Sequence, residues 1–196
     1  MRKSVQEKEC AIRCYCGSLE GVVTVPASVN RVICYCKDCQ AFARFLGASE
    51  RILDRDGGTD IVQMAQAAVT FTKGVEHLAC MRLKPKGLNR WYARCCRAPI
   101  GNTARDKHPA FIGLIHSCMQ SQAMDAAFGP VTCRANSKSS FNTALKDTGV
   151  VPVVFRFLAI VAAGFSTKAT SPFFAADGKP ASEPEILSTS EFEKIG

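Results

Sequence analysis

Three thiols within six residues, Cys34-Tyr35-Cys36-Lys37-Asp38-Cys39, define the chemistry this chain can do. A Cys-x-Cys pair at a strand end, followed by a third cysteine, makes a tight turn whose sulfurs converge. Soft thiolate ligands are presented to Zn²⁺ in this way. Three thiolates leave one position of a tetrahedral ion open to water or substrate, which is the arrangement of a catalytic zinc, whereas a structural zinc is closed by four protein ligands. The spacing also accommodates the closed case, with Cys80, Cys118 or His77 as a distant fourth ligand.

A second Cys-x-Cys lies upstream in Cys14-Tyr15-Cys16-Gly17, where the glycine permits the sharp backbone reversal of a metal knuckle. Cys10, on the strand before it, reads as a packed thiol. Eleven cysteines in 196 residues are too sparse for a small disulfide scaffold, and the number is odd. The first nine residues, Met1-Arg2-Lys3-Ser4-Val5-Gln6-Glu7-Lys8-Glu9, are charged and polar with no apolar run behind them, so no signal peptide is read. Reduced, metal-binding cysteines in a cytoplasmic protein are the consistent expectation.

The elements that must position these thiols follow from periodicity. Alternation through Leu19, Gly21, Val23 and Val25 predicts a strand leaving the first knuckle, and 30–34 a returning strand that delivers Cys34. Cys39, Phe42, Ala43 and Leu46 follow helical spacing and stop at Gly47, which places Cys39 near a helix N-terminus, where the dipole favours a thiolate. Short alternating segments at 60–64, 67–73, 77–84 and 89–94, with turns at Asp56-Gly57-Gly58 and Lys84-Pro85-Lys86-Gly87, predict a mainly β domain of about 100 residues.

With 47% hydrophobic residues the chain can bury a proper core. The formal charge of +8 invites a nucleic-acid reading, but seven thiolates on two zinc ions would reduce it to about +5. The remaining Lys and Arg are scattered, so a basic surface that attracts small anions is expected rather than a nucleic-acid groove.

The order of the cysteines is itself informative. Cys14-x-Cys16-Gly17, then Cys34-x-Cys36-x-x-Cys39-Gln40, then an aromatic strand, Trp91-Tyr92-Ala93-Arg94-Cys95-Cys96-Arg97-Ala98-Pro99-Ile100, resembles the glutathione-dependent formaldehyde-activating enzyme family, which includes centromere protein V. The resemblance spans roughly residues 10 to 115. It implies an Mss4-like zinc β-tent at 1–116 and two Zn²⁺ ions, one in a closed site using Cys14, Cys16 and the late cysteines and one in an open, catalytic site at Cys34, Cys36 and Cys39. It further implies a carbon–sulfur lyase reaction on thiol–aldehyde adducts such as S-(hydroxymethyl)glutathione, with a small thiol such as glutathione as partner. No conspicuous general base is needed for this, and His77, His108 and His116 form no motif.

One departure concerns the closed site. Where the family has Cys-x-x-Cys-Gly, this chain has Ala93 in place of the first cysteine and Arg97 in place of the glycine, while Cys95 and Cys96 stand adjacent. The closed site is therefore Cys14, Cys16, Cys95 and Cys96, or three of these with another group, or absent. A non-catalytic zinc-stabilised binding module and a thiol redox sensor are the alternative functions.

Residues 117–196 are expected as a C-terminal extension packed on the zinc domain. The expected features are a short helix within 137–149, a second helix at about 152–164, an ordered loop around Ser171-Pro172-Phe173-Phe174 and a polar tail at 182–196. The 152–164 run is too short for a membrane span and contains Arg156. Burial against the β domain, a homodimer contact, or a membrane surface are its possible uses.

Overall fold

The computed structural model describes residues 8–119, 121–166 and 171–196. In chain order its elements are β1 (Glu9–Arg13), β2 (Glu20–Thr24), β3 (Asn30–Cys34), α1 (Lys37–Phe45), α2 (Ser49–Ile52), β4 (Thr59–Ala65), β5 (Val69–Lys73), β6 (Leu78–Arg82), β7 (Asn89–Ala93), β8 (Ala98–Thr103) and β9 (Phe111–Ile115). Then follow α3 (Ser121–Phe128), β10 (Cys133–Ala135), α4 (Val150–Ser166), β11 (Pro184–Ile186) and α5 (Thr189–Ile195). The protein is mainly β, with two sheets ordered β1-β2-β5 and β10-β3-β4-β9-β8-β7-β6-β11.

The small sheet follows from alternation: Cys10 and Ile12 on β1 face inward, paired with Val23 and Gly21 on β2. In the large sheet β7 and β8 are buried along their whole length, which is why their sequences carry no clean polar face. Trp91 lies at the centre, fully buried, its indole N–H donating to Thr103 Oγ1 at 3.0 Å. Helix α1 buries Cys39, Phe42, Ala43 and Leu46 and ends at Gly47, whose φ of +65° is the left-handed stop the sequence predicts.

Residues after 116 build part of the large sheet. β10 runs parallel to β3, with Ala135 opposite Cys34, and β11 runs parallel to β6. The span 182–196 is therefore not a polar tail. It carries β11 and α5, because Leu187, Phe192 and Ile195 pack on the α1 side of the core and Ser188 and Glu191 form a reciprocal capping box that starts α5.

The helix expected within 137–149 is also absent. A three-residue turn at Ser137–Ser139 is followed by irregular chain, and Phe141 is exposed. Side chains have taken the backbone donors a helix would use: Asp147 accepts from Ser137 N at 2.7 Å, Ser140 Oγ from Asn142 N at 3.0 Å, and Asn142 Oδ1 from Ala144 N at 3.1 Å.

Helix α4 is longer than 152–164. It begins two residues before Pro152, which sits in the first turn where no N–H is required, and it runs through Gly164, which lies close against Ala110. One face of α4 packs on the large sheet through Val153 and Ile160, with Phe157 edge-on to Phe111 at 4.9 Å. The opposite face leaves Val151, Phe155 and Leu158 exposed, so the helix is not buried all round. No helix among the described residues is long and apolar enough to cross a membrane.

Phe173 and Phe174 anchor the expected loop, their rings 5.3 and 6.2 Å from that of Trp91. Truncating Phe173, which is fully buried, is expected to cost about 3–5 kcal/mol in denaturant unfolding, with metal content unchanged.

Candidate metal centres

The closed cluster forms where two turns from different sheets meet. Cys14 and Cys16 lie in the β1–β2 turn. Gly17 has φ +74°, and a Cβ there would stand 2.3 Å from the Arg13 guanidinium. Leu19 N donates to Cys14 Sγ at 3.3 Å, fixing that sulfur. Cys95 and Cys96 lie in the β7–β8 turn, where Arg97 takes the left-handed conformation (φ +57°) that glycine adopts more readily. The strain is offset because the Arg97 guanidinium donates to the Phe45 and Leu46 carbonyls at the end of α1 and lies over the Phe45 ring.

The two adjacent thiols do face one centre. Cys14 Sγ is 3.6 Å from Cys16 and 3.7 Å from Cys95. Cys16 is 3.4 Å from Cys95, and Cys95 is 3.9 Å from Cys96. A tetrahedron of sulfurs about 2.3 Å from a zinc ion has edges of about 3.8 Å, so the four sulfurs have the spacing of a metal cage and lie too far apart for disulfides. Cys16 is held down to about 6, first by the Ser18 hydroxyl at 3.3 Å, while burial first and then the other thiols raise Cys95 to about 12. Four crowded sulfurs cannot all be thiolates without a cation among them, so this donor set fits a metal.

The second cluster joins Cys34 at the end of β3 to Cys36 and Cys39 of α1, all three sulfurs lying within 4.8 Å of one another. Cys36 caps the helix, its sulfur accepting from Cys39 N at 3.4 Å, and stands 3.2 Å from Cys39 Sγ. Cys34 is held well below the ordinary thiol range, first by hydrogen bonding from the Cys36 thiol, then from Cys39. Cys39, buried beside that charge, is pushed up by Cys34 foremost. Among the described residues no fourth histidine, cysteine or carboxylate joins this group. Cys80 and Cys118 are packed elsewhere, raised to about 12 by burial, and His77 lies beside Glu76.

Instead of a fourth ligand the three sulfurs meet a cleft of about 430 Å³, in the size range of small-molecule sites. Several residues that line it escaped the sequence reading. Asn136 donates to Cys34 Sγ at 3.3 Å from a left-handed turn after β10. Cys133, Val153 and Phe157 also come from beyond residue 116. Arg90, only 3% exposed, reaches the cleft from β7, held by Asn102 Oδ1 at 3.2 Å, by Asp38 at 3.9 Å and by the Phe42 face. The available signal for Arg90 was a charge within the strand stretch Asn89-Arg90-Trp91-Tyr92-Ala93. Nothing in sequence linked Asn136 to a thiol 102 positions away.

Together these features define a class: a mainly β protein whose two cysteine clusters could hold metal ions. The chain belongs to a family of unknown function, DUF6151, whose model matches residues 6–185. No curated protein matches it. Among solved structures it is similar to the crystal structure of a Rhodobacter sphaeroides protein determined as a structural-genomics target. The two share 18% identity over 56% of this chain and 87% of that one, at a TM-score of 0.39.

Proposed function

We propose that this protein is a zinc-dependent carbon–sulfur lyase on an Mss4-like β-tent scaffold, forming and cleaving thiol–aldehyde adducts of the S-(hydroxymethyl)glutathione type. A structural zinc would be held by Cys14, Cys16, Cys95 and Cys96 and a catalytic one by Cys34, Cys36 and Cys39. The observation that carries this reading is the contrast between the clusters: four sulfurs enclose one centre, and three sulfurs leave the other open onto a cleft. The resemblance in cysteine order supports it.

Bound at the three sulfurs, zinc would supply the charge that keeps an incoming thiol deprotonated at neutral pH. A thiolate held there would add through sulfur to the carbonyl carbon as the C=O π bond becomes a C–O single bond, and the proton given up to solvent when the thiol ionised would be returned to that oxygen, with nothing oxidised or reduced. The reverse returns thiol and aldehyde. Arg90 suits the oxygen: its guanidinium is buried on the wall of the same cleft, where a preorganised donor to developing negative charge is worth most. Asn136 holds Cys34 in place.

Zinc-loaded protein is expected to accelerate exchange between formaldehyde plus thiol and their adduct, followed by NMR magnetisation transfer, and Arg90→Lys to slow it on the order of 100-fold. Exchange at the uncatalysed rate with both metal sites filled would leave a non-catalytic zinc-stabilised module.

A further inference from the structure

The cleft over the open cluster is lined in a way that speaks to the substrate. Val32, Ile61 and Phe111 of the sheet line it together with Val153, Val154 and Phe157 of α4. The polar groups that reach it are few, and most already have a protein partner on one atom. Gln63 accepts from Asn30 at 3.2 Å, Asn136 donates to Cys34, and Arg90 is shared between Asn102 and Asp38. Arg90 is the one cation among the described residues lining the cleft, and Asp38 on the same lining offsets its charge. Glutathione would bring two carboxylates and an ammonium into this space, where Arg90, already shared with Asn102 and Asp38 and assigned to the aldehyde oxygen, is the one cation to meet them, so most of that charge would lose water without full compensation. An aliphatic or aromatic body would instead gain from every carbon buried.

We infer that the cleft takes a thiol with an apolar body of medium length, its sulfur at Cys34, Cys36 and Cys39 and its chain along the apolar lining that α4 and the sheet share, rather than a charged tripeptide thiol. This rests on the open-site reading above. The apolar wall on α4 belongs to the part of the chain beyond the cysteine clusters. The volume of about 430 Å³ leaves room for such a chain and for an aldehyde beside the sulfur.

The test uses the full chain loaded with Co²⁺, titrated with ethanethiol, butanethiol, hexanethiol and glutathione while the sulfur-to-cobalt charge-transfer band is read. Apparent Kd should fall about two- to fourfold per methylene, and hexanethiol should bind at least about tenfold more tightly than glutathione. Val154→Ser, at a half-exposed position that leaves the fold intact, should flatten the chain-length dependence, and Phe157→Ala should flatten it further while keeping the ethanethiol response. If the thiols bind with no chain-length dependence, or glutathione binds most tightly, the apolar assignment is overturned while the open site stands. If no thiol changes the spectrum of metal-loaded protein, the open site and this inference both fall.

Discussion

Strong chelation is expected to unfold this protein, and Cys95→Ser to destabilise it nearly as much as Cys14→Ser. The four-sulfur cluster ties the β1–β2 turn of one sheet to the β7–β8 turn of the other, joining Cys16 to Cys95 across 79 positions. Binding of a structural zinc is folding free energy, about 10–16 kcal/mol in small thiolate sites. That is comparable with the whole stability of a domain, about 5–15 kcal/mol. Each serine replaces a thiolate with a hydroxyl that does not ionise and leaves the metal short of a ligand. Thermal melting followed by circular dichroism, with released zinc measured in parallel, reads both effects. Unchanged melting and zinc content in Cys95→Ser would return Cys95 to the role of a bystander.

Cys39→Ser is expected to do the opposite: the protein folds, and the adduct exchange proposed for the open site falls by more than about 1,000-fold because that site can no longer hold its metal. Cys39 is the third residue of α1, one turn into a helix whose cap is Cys36, and serine is tolerated in a first turn. The four-cysteine clip is untouched, so stability should change by only about 1–2 kcal/mol. Adduct exchange measured beside melting temperature separates the two outcomes. If Cys39→Ser melts as early as Cys14→Ser, the central cluster is scaffolding.

Much of the site was legible because thiol chemistry is local. Cys34, Cys36 and Cys39 fall within one strand-to-helix turn, and the helical spacing after Cys39 predicted α1 and its stop at Gly47. The convergence of Cys95 and Cys96 was legible only as one of several alternatives, because adjacent side chains on a regular strand point apart. They meet one centre here because the chain has already left β7 and turns through Arg97. The cleft was least legible. Its floor is local, whereas Asn136 and α4 reach it through a parallel pairing of β10 with β3, a long-range contact that leaves no periodic trace. The capping box at Ser188 and Glu191 was readable but stood in a stretch whose polarity masked Leu187, Phe192 and Ile195.

The central claim is that one cluster is closed and the other keeps a position for a thiol. Zinc-edge X-ray absorption on the metal-loaded chain tests it directly. The account predicts two ions sharing seven protein sulfurs, four at one and three at the other, with one oxygen neighbour between them that is replaced by sulfur when a small thiol is added. Two ions surrounded entirely by sulfur before any thiol is added, or a single ion per chain, would contradict it.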